Sequence, residues 1–86
     1  MAETKVGVVT HYFGKISVAA IKLTNGNLKV GDTVHVTGHT SDVTQAVDSM
    51  QLEHDEIMEG TIGQEVAIRV SDHVRTHDIV SVVTPG

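Results

Sequence analysis

The chain has 86 residues, with 11 acidic and six basic side chains, a formal net charge of −5 at pH 7 and no cysteine. The missing cysteine excludes disulfides, thiolate metal sites and thiol catalysis. The acidic balance argues against tight binding of a nucleic-acid backbone, because that affinity comes from Lys and Arg. We find neither a signal peptide nor an apolar run near the ~18 residues of a membrane span, so we expect a cytoplasmic protein without membrane contact.

The length fits one domain over residues 1–86, with an ordered core from about residue 5 to about residue 83. Its first predicted element is a β-hairpin. The Val-rich residues 6–13 form its first strand, Gly14 and Lys15 its turn, and residues 16–23 its second strand. In the Asn- and Gly-containing loop that follows, Leu28 and Val30 are expected to pack the underside of the loop onto the core.

Four further strands are predicted, at residues 32–37, 43–51, 65–70 and 79–83. The acidic segment 52–60 lies between two of them and is expected to be a loop or a short helical turn. Strands at regular spacing with almost no helix predict an all-β fold. We expect a small closed β-barrel of six strands or so, since closure removes exposed sheet edges.

The second half of the chain repeats features of the first. Residues 20–23 (AIKL) correspond to residues 67–70 (AIRV). After a one-residue deletion, Leu28, Lys29 and Asp32 correspond to Val74, Arg75 and Asp78. These matches predict an internal pseudo-repeat in which Asp32 and Asp78 occupy equivalent loops, although Val-rich strands can also match by coincidence.

Three sequence blocks carry a family resemblance. They are LKVGDTVHV at 28–36, VDSM at 47–50 and GQEVAI at 63–68. In this order they resemble the signature of the second-domain β-barrel of translational GTPases such as elongation factor Tu and initiation factor 2. The resemblance spans residues 6–83. It implies a barrel of that type and a role as a translation factor-like binding module, possible partners being the ribosome and, weakly, RNA.

The resemblance does not extend to a GTPase domain. Gly7 and Gly14-Lys15 lack the spacing of a phosphate-binding loop, and Ile16 stands where such a loop needs Ser or Thr. We therefore expect no GTP binding by this chain. Similar barrels also occur as modules appended to collagenase-like bacterial peptidases, so a stand-alone adaptor barrel of that kind is an alternative.

Six histidines raise a second alternative, a histidine-based metal-binding or regulatory protein. His35 and His39, like His73 and His77, have a spacing that would place both rings on one face of a helix. Neither pair lies in a predicted helix, so we expect surface histidines and no metal site. The serines follow no nucleophile pattern and the carboxylates cluster in one acidic segment, so we expect no enzyme, no catalytic residue and no cofactor.

The best candidate binding residues lie at the tip of the first hairpin: Tyr12, Phe13 and Lys15. Adjacent strand residues point to opposite faces, so one aromatic ring should enter the core and the other should be exposed beside Lys15. Phe13 in the core is the simpler arrangement. An exposed aromatic side chain beside a cation suits a partner surface, and the acidic net charge favours a protein partner. The leading hypothesis is therefore a non-enzymatic binding module.

Overall fold

The computed structural model describes residues 2–84. The strands are β1 Ala2–Phe13, β2 Val18–Leu23, β3 Leu28–Lys29, β4 Thr33–Thr37, β5 Asp42–Ala46, β6 Met50–Leu52, β7 Asp55–Ile57, β8 Glu59–Gly60, β9 Glu65–Arg69 and β10 Ile79–Thr84. Eight of them form one antiparallel sheet in the order β5-β4-β10-β1-β2-β9-β6-β7, and β3 pairs with β8. The predicted all-β fold is confirmed. Within residues 2–84 the structure has no helix long and apolar enough to span a membrane.

The core is aliphatic and follows the alternation of the strands. Ile21 and Leu23 of β2 are fully buried, while their neighbour Lys22 is exposed. The same alternation buries Val34 and Val36 of β4. Successive strand residues face opposite sides of a sheet, so this period-2 pattern assigns one face to the core. Burying each such side chain contributes about 1.5–3 kcal/mol.

The expected closed barrel is not found, because the predicted fourth strand breaks at residues 47–49. The Val47 N–H donates to the Asp32 carbonyl at 2.8 Å, and the Gly31 N–H donates to the Val47 carbonyl at 2.9 Å. Val47 therefore bonds to the loop before β4 instead of continuing a ladder. On either side of the break, β5 pairs with β4 and β6 pairs with β9, so the sheet ends at β5 and β7.

A side-chain amide links the edge strand β5 to the end of β9. Gln45 Nε2 donates to the Arg69 carbonyl at 2.7 Å. The Ser71 N–H donates to Gln45 Oε1 at 2.6 Å. The edge strand β5 is thus joined to β6 by residues 47–49 and to the end of β9 by these side-chain hydrogen bonds, not by a backbone ladder.

The acidic segment is a β-hairpin, so the expected loop or helical turn is wrong. Leu52 pairs with Asp55, and the two residues between them, Glu53 and His54, have φ values of 52° and 71°. Two consecutive left-handed residues are typical of a type I′ hairpin turn, whose twist matches that of the flanking strands. Glu-His is not one of the Asn-Gly or Asp-Gly pairs that announce such a turn in a sequence.

The two loops that the sequence equated make the same hydrogen bonds. Asp32 Oδ2 accepts the Lys29 N–H at 3.1 Å, and the Asp32 N–H donates to the Lys29 carbonyl at 3.1 Å. Asp78 Oδ2 accepts the Arg75 N–H at 2.8 Å, and the Asp78 N–H donates to the Arg75 carbonyl at 3.1 Å. The predicted equivalence of Asp32 and Asp78 is therefore confirmed.

The equivalence extends to the residue before each aspartate. Gly31 and His77 both have positive φ, 98° and 77°. The Gly31 N–H donates to the Val47 carbonyl, and the His77 N–H donates to the Val9 carbonyl at 2.7 Å. Both valines are 1% exposed. Each loop is thus anchored to one buried valine of another segment.

Candidate binding groove

The aromatic residues of the first hairpin point to opposite faces of β1. Tyr12 packs against the core and against His73, with their ring centroids 4.5 Å apart. Phe13 is 45% exposed, so the expectation that it enters the core is wrong. Lys15 is exposed in the turn at residues 14–17. The hairpin tip therefore carries an exposed aromatic ring and a cation, as expected. The exposed ring is that of Phe13, and the ring that packs against the core is that of Tyr12.

The ladder pairings place Phe13 beside small side chains on the outer face of the sheet. Phe13 pairs with Val18 of β2, which pairs with Arg69 of β9. In the next row, Ala20 of β2 pairs with Ala67 of β9. Val18, Ala20 and Ala67 are half-buried and form an apolar floor, although this face lies away from the core.

A groove of about 350 Å³ lies over this floor. One side is formed by Phe13 and by Ile16, which is 64% exposed. The other side is formed by Glu53 and His54 of the β6–β7 turn, with Glu65 of β9 beside them. This volume lies in the range of small-ligand and peptide-residue pockets. The groove therefore has an apolar end at Phe13 and Ile16 and an acidic end at Glu53 and Glu65.

The carboxylates of the acidic end are not neutralised by Lys or Arg. Glu65 Oε2 accepts the Thr10 hydroxyl at 2.6 Å. Lys22 pairs with Glu65 in the ladder, but its Nζ donates to the Gly63 carbonyl at 2.8 Å. Within residues 2–84, neither Glu65 nor Glu53 forms a salt bridge. The acidic end therefore carries two carboxylates that form no ion pair with a Lys or Arg among residues 2–84.

Phe13 and Lys15 were predicted from the sequence, whereas the floor and the acidic end of the groove were not. A clue was present, because the outward positions of β2 and β9 read Val-Ala-Lys and Glu-Ala-Arg. Small apolar residues at outward positions indicate a sheet face that a partner molecule can approach closely. The positions of the acidic residues required the β6–β7 hairpin, which was not predicted.

A separate cluster lies at His35, on the outer face of β4. Its Nδ1 is 2.8 Å from Glu3 Oε1, and its Nε2 is 2.6 Å from Asp42 Oδ1. The hydrogen bond to Asp42, followed by the one to Glu3, raises the pKa of His35 above its usual value of 6.5. A protonated ring donates from both nitrogens and so links β1 and β5 to β4.

This contact makes stability depend on pH. Because the pKa of His35 is raised in the folded state, its contribution is fully present below about pH 6.5 and is lost as the pH rises through the folded pKa. We expect the difference in free energy of unfolding between the native protein and His35→Gln to shrink from about pH 6 to about pH 9. Urea unfolding across this range measures it. His39→Gln is the control, and a difference that stays constant or grows would contradict the expectation.

The histidines do not converge on a metal site. Among residues 2–84 no group of three or more His, Asp or Glu side chains is placed to hold a metal ion. His35 lies on β4 and His39 in the connection after it, while His73 contacts Tyr12 and His77 occupies a left-handed turn position. The helical spacing of these pairs therefore has no structural counterpart.

The comparisons with known proteins lead to peptidases. No known family model matches the sequence. The chain is 34% identical over 77 residues to a protein named collagenase from Porphyromonas gingivalis. It is 35% identical over 79 residues to an uncharacterised protease from Methanocaldococcus jannaschii. These alignments cover 88% and 91% of this chain but only 21% and 19% of the relatives, so the chain spans about a fifth of their length.

A solved structure has a similar fold. The C-terminal domain of a Geobacillus thermoleovorans protein assigned to the U32 peptidases superposes with a TM-score of 0.85. The match covers 92% of this chain and 91% of that domain at 18% identity. This chain has the fold of that C-terminal domain.

The expected relation to translation factors is therefore wrong. The similar sequences and the similar solved structure are described as peptidases, not as translation factors. The physical reason lies in what the three sequence blocks encode. Gly31 supplies a left-handed turn and Asp32 caps the loop, while the alternating valines fill a core. These are requirements of a β-fold and carry no information about a partner.

Proposed function

We propose that the chain is a non-catalytic adaptor domain of the kind appended to collagenase-like peptidases and that it binds a polypeptide through the groove. The sequence relatives support the first part, because about four fifths of each lies outside the aligned region and leaves room for a separate catalytic domain. The fold supports it too, since the similar solved structure is a C-terminal domain.

The observation that carries the binding role is the outward apolar floor beside Phe13. A fully solvated sheet face usually carries polar side chains at its outward positions. Here Val18, Ala20 and Ala67 occupy three of the six outward positions of β2 and β9, and Phe13 and Ile16 are exposed at their border. A partner that covers this face would remove that apolar surface from water, and such burial is worth about 25 cal/mol per Å².

A domain replacement tests the proposal. In the Porphyromonas gingivalis collagenase, the aligned region is deleted in one variant and replaced by this chain in another. We expect the deletion to lower the hydrolysis of collagen-derived peptides and the replacement to restore at least part of it. This chain alone should not hydrolyse the same peptides. Hydrolysis by the isolated chain, or a replacement no more active than the deletion, would contradict the proposal.

A further inference from the structure

The groove combines two chemical ends at a defined separation. Phe13, Val18 and Arg69 lie in one row across the sheet, and Lys22 and Glu65 lie in another. Along β9 these rows are separated by four residue steps, from Glu65 to Arg69. At about 3.3 Å per strand residue, the apolar end and the acidic end are about 13 Å apart.

The charges of the groove oppose each other at its two ends. Glu53 and Glu65 line the acidic end. Arg69 lies in the same row as Phe13, and the exposed Lys15 follows Phe13 in the hairpin turn. Lys22 lies in the row of Glu65 and donates its Nζ to the Gly63 carbonyl, so one cation faces two carboxylates at the acidic end. A peptide cation is therefore attracted more strongly to this end than to the apolar end.

We propose, resting on the adaptor function above, that the groove binds an extended peptide segment carrying an apolar side chain and a Lys or Arg side chain four positions apart. The apolar side chain packs against Phe13, Ile16 and Val18. The basic side chain reaches Glu53 and Glu65. Four residues of extended chain match the separation of the two ends, because the peptide and β9 have the same rise per residue.

The floor explains why the ligand is an extended peptide. Ala20 and Ala67 lie between the two ends and project only a methyl group each above the sheet. A strand-like segment fits a flat floor of this kind along the direction of β2 and β9. Phe13 and Ile16 at one end, and Glu53 and His54 at the other, bound the length of this floor.

Titration of the isotope-labelled full chain with synthetic peptides tests the proposal by NMR. The probe is acetylated and amidated Lys-Thr-Val-Thr-Leu. One comparison peptide carries Glu in place of Lys, and another, Thr-Lys-Leu-Val-Thr, has the same composition with the two side chains adjacent. We expect the probe to bind about fivefold more tightly than either, with shifts centred on β2 and β9.

Two pairs of variants locate the site. Ala67→Arg places a long side chain on the floor and should weaken probe binding at least about tenfold, whereas Ala46→Arg, on the exposed side of β5, should not. Glu65→Gln should lower the preference for Lys over Glu and leave only the part that Glu53 provides. Glu59→Gln removes the same charge from β8 and should leave the preference intact. The thermal unfolding midpoint of each variant verifies its fold. If Ala67→Arg fails to fold, Glu65→Gln alone tests whether the groove binds the probe.

Equal binding of the Lys and Glu peptides, or shifts centred outside β2 and β9, would overturn the proposal. So would a short single-stranded RNA that displaces the probe from the same residues. The domain replacement separates this proposal from the adaptor function. A replacement that restores hydrolysis while the probe fails to bind overturns only the peptide preference. Selective probe binding with an inactive replacement overturns only the adaptor function.

Discussion

Replacement of Gly7 by alanine is expected to lower the free energy of unfolding by about 3 kcal/mol or more. Gly7 is buried in β1, where it pairs with Leu23 of β2 and with Val80 of β10. A Cβ at this position would overlap the backbone carbonyl of Lys22 and lie 3.2 Å from Ile21 Cγ2. β2 and β10 pair with β1 on its two sides, so β1 cannot move away from Lys22 without breaking hydrogen bonds of a ladder.

Urea unfolding measures this loss, and Gly14→Ala is its matched control. A Cβ at Gly14 would have Tyr12 Cε2 at 3.4 Å, an ordinary van der Waals contact in an exposed turn. We expect Gly14→Ala to change the free energy of unfolding by less than about 0.5 kcal/mol. Equal stabilities of the two variants would show that the close approach of β1 and β2 is wrong.

The second large effect is expected at Asp78, in comparison with its counterpart Asp32. Asp78 is 5% exposed and accepts the Arg75 N–H at 2.8 Å in a partly buried contact, so Asp78→Ala leaves that donor without its acceptor. We expect a loss of about 2–3 kcal/mol. Asp32 makes the equivalent bond at 3.1 Å in a half-buried loop, and Asp32→Ala should cost about 1 kcal/mol.

The difference between the two losses reports the effect of burial, because both aspartates make the same hydrogen bonds within their loops. Asp78 packs so closely against Gly38 that a Cβ there would overlap Asp78 Oδ1. Urea unfolding of both alanine variants measures the two losses. An Asp32→Ala variant that loses as much stability as Asp78→Ala would contradict the role of burial.

The strands and the repeated loops could be predicted because their signals are local. Val34 and Val36 alternate with polar residues within one strand, and such alternation alone separates the core side from the solvent side. Likewise, Asp32 and Asp78 cap the backbone three residues before them, a contact that sequence spacing describes completely.

The break in the predicted fourth strand had no local signal. Residues 43–51 contain β-branched and polar residues suitable for one continuous strand. Val47 leaves the ladder because Gly31 and Asp32, distant in sequence, offer its backbone both a donor and an acceptor. The same competition leaves the sheet open at β5 and β7, whereas the periodicity alone predicted closure.

The candidate site likewise has one part that the sequence predicted and one part that it did not. The hairpin tip with Phe13 and Lys15 was found because an aromatic pair beside a lysine is visible in the sequence. Which ring turns outward was decided by the tertiary structure, in which Tyr12 packs against the core and contacts His73, a residue distant in sequence. Glu53 reached the groove only through the left-handed β6–β7 turn.

By itself, the sequence determined an all-β chain, the alternation that buries Val34 and Val36 and two equivalent capped loops, because each depends on residues close together along the chain. Only the tertiary structure decided the open sheet and the groove across β1, β2, β9 and β6. The reason is physical: a backbone N–H or carbonyl can pair with any strand that reaches it, and the selection among partners is made by contacts between distant segments.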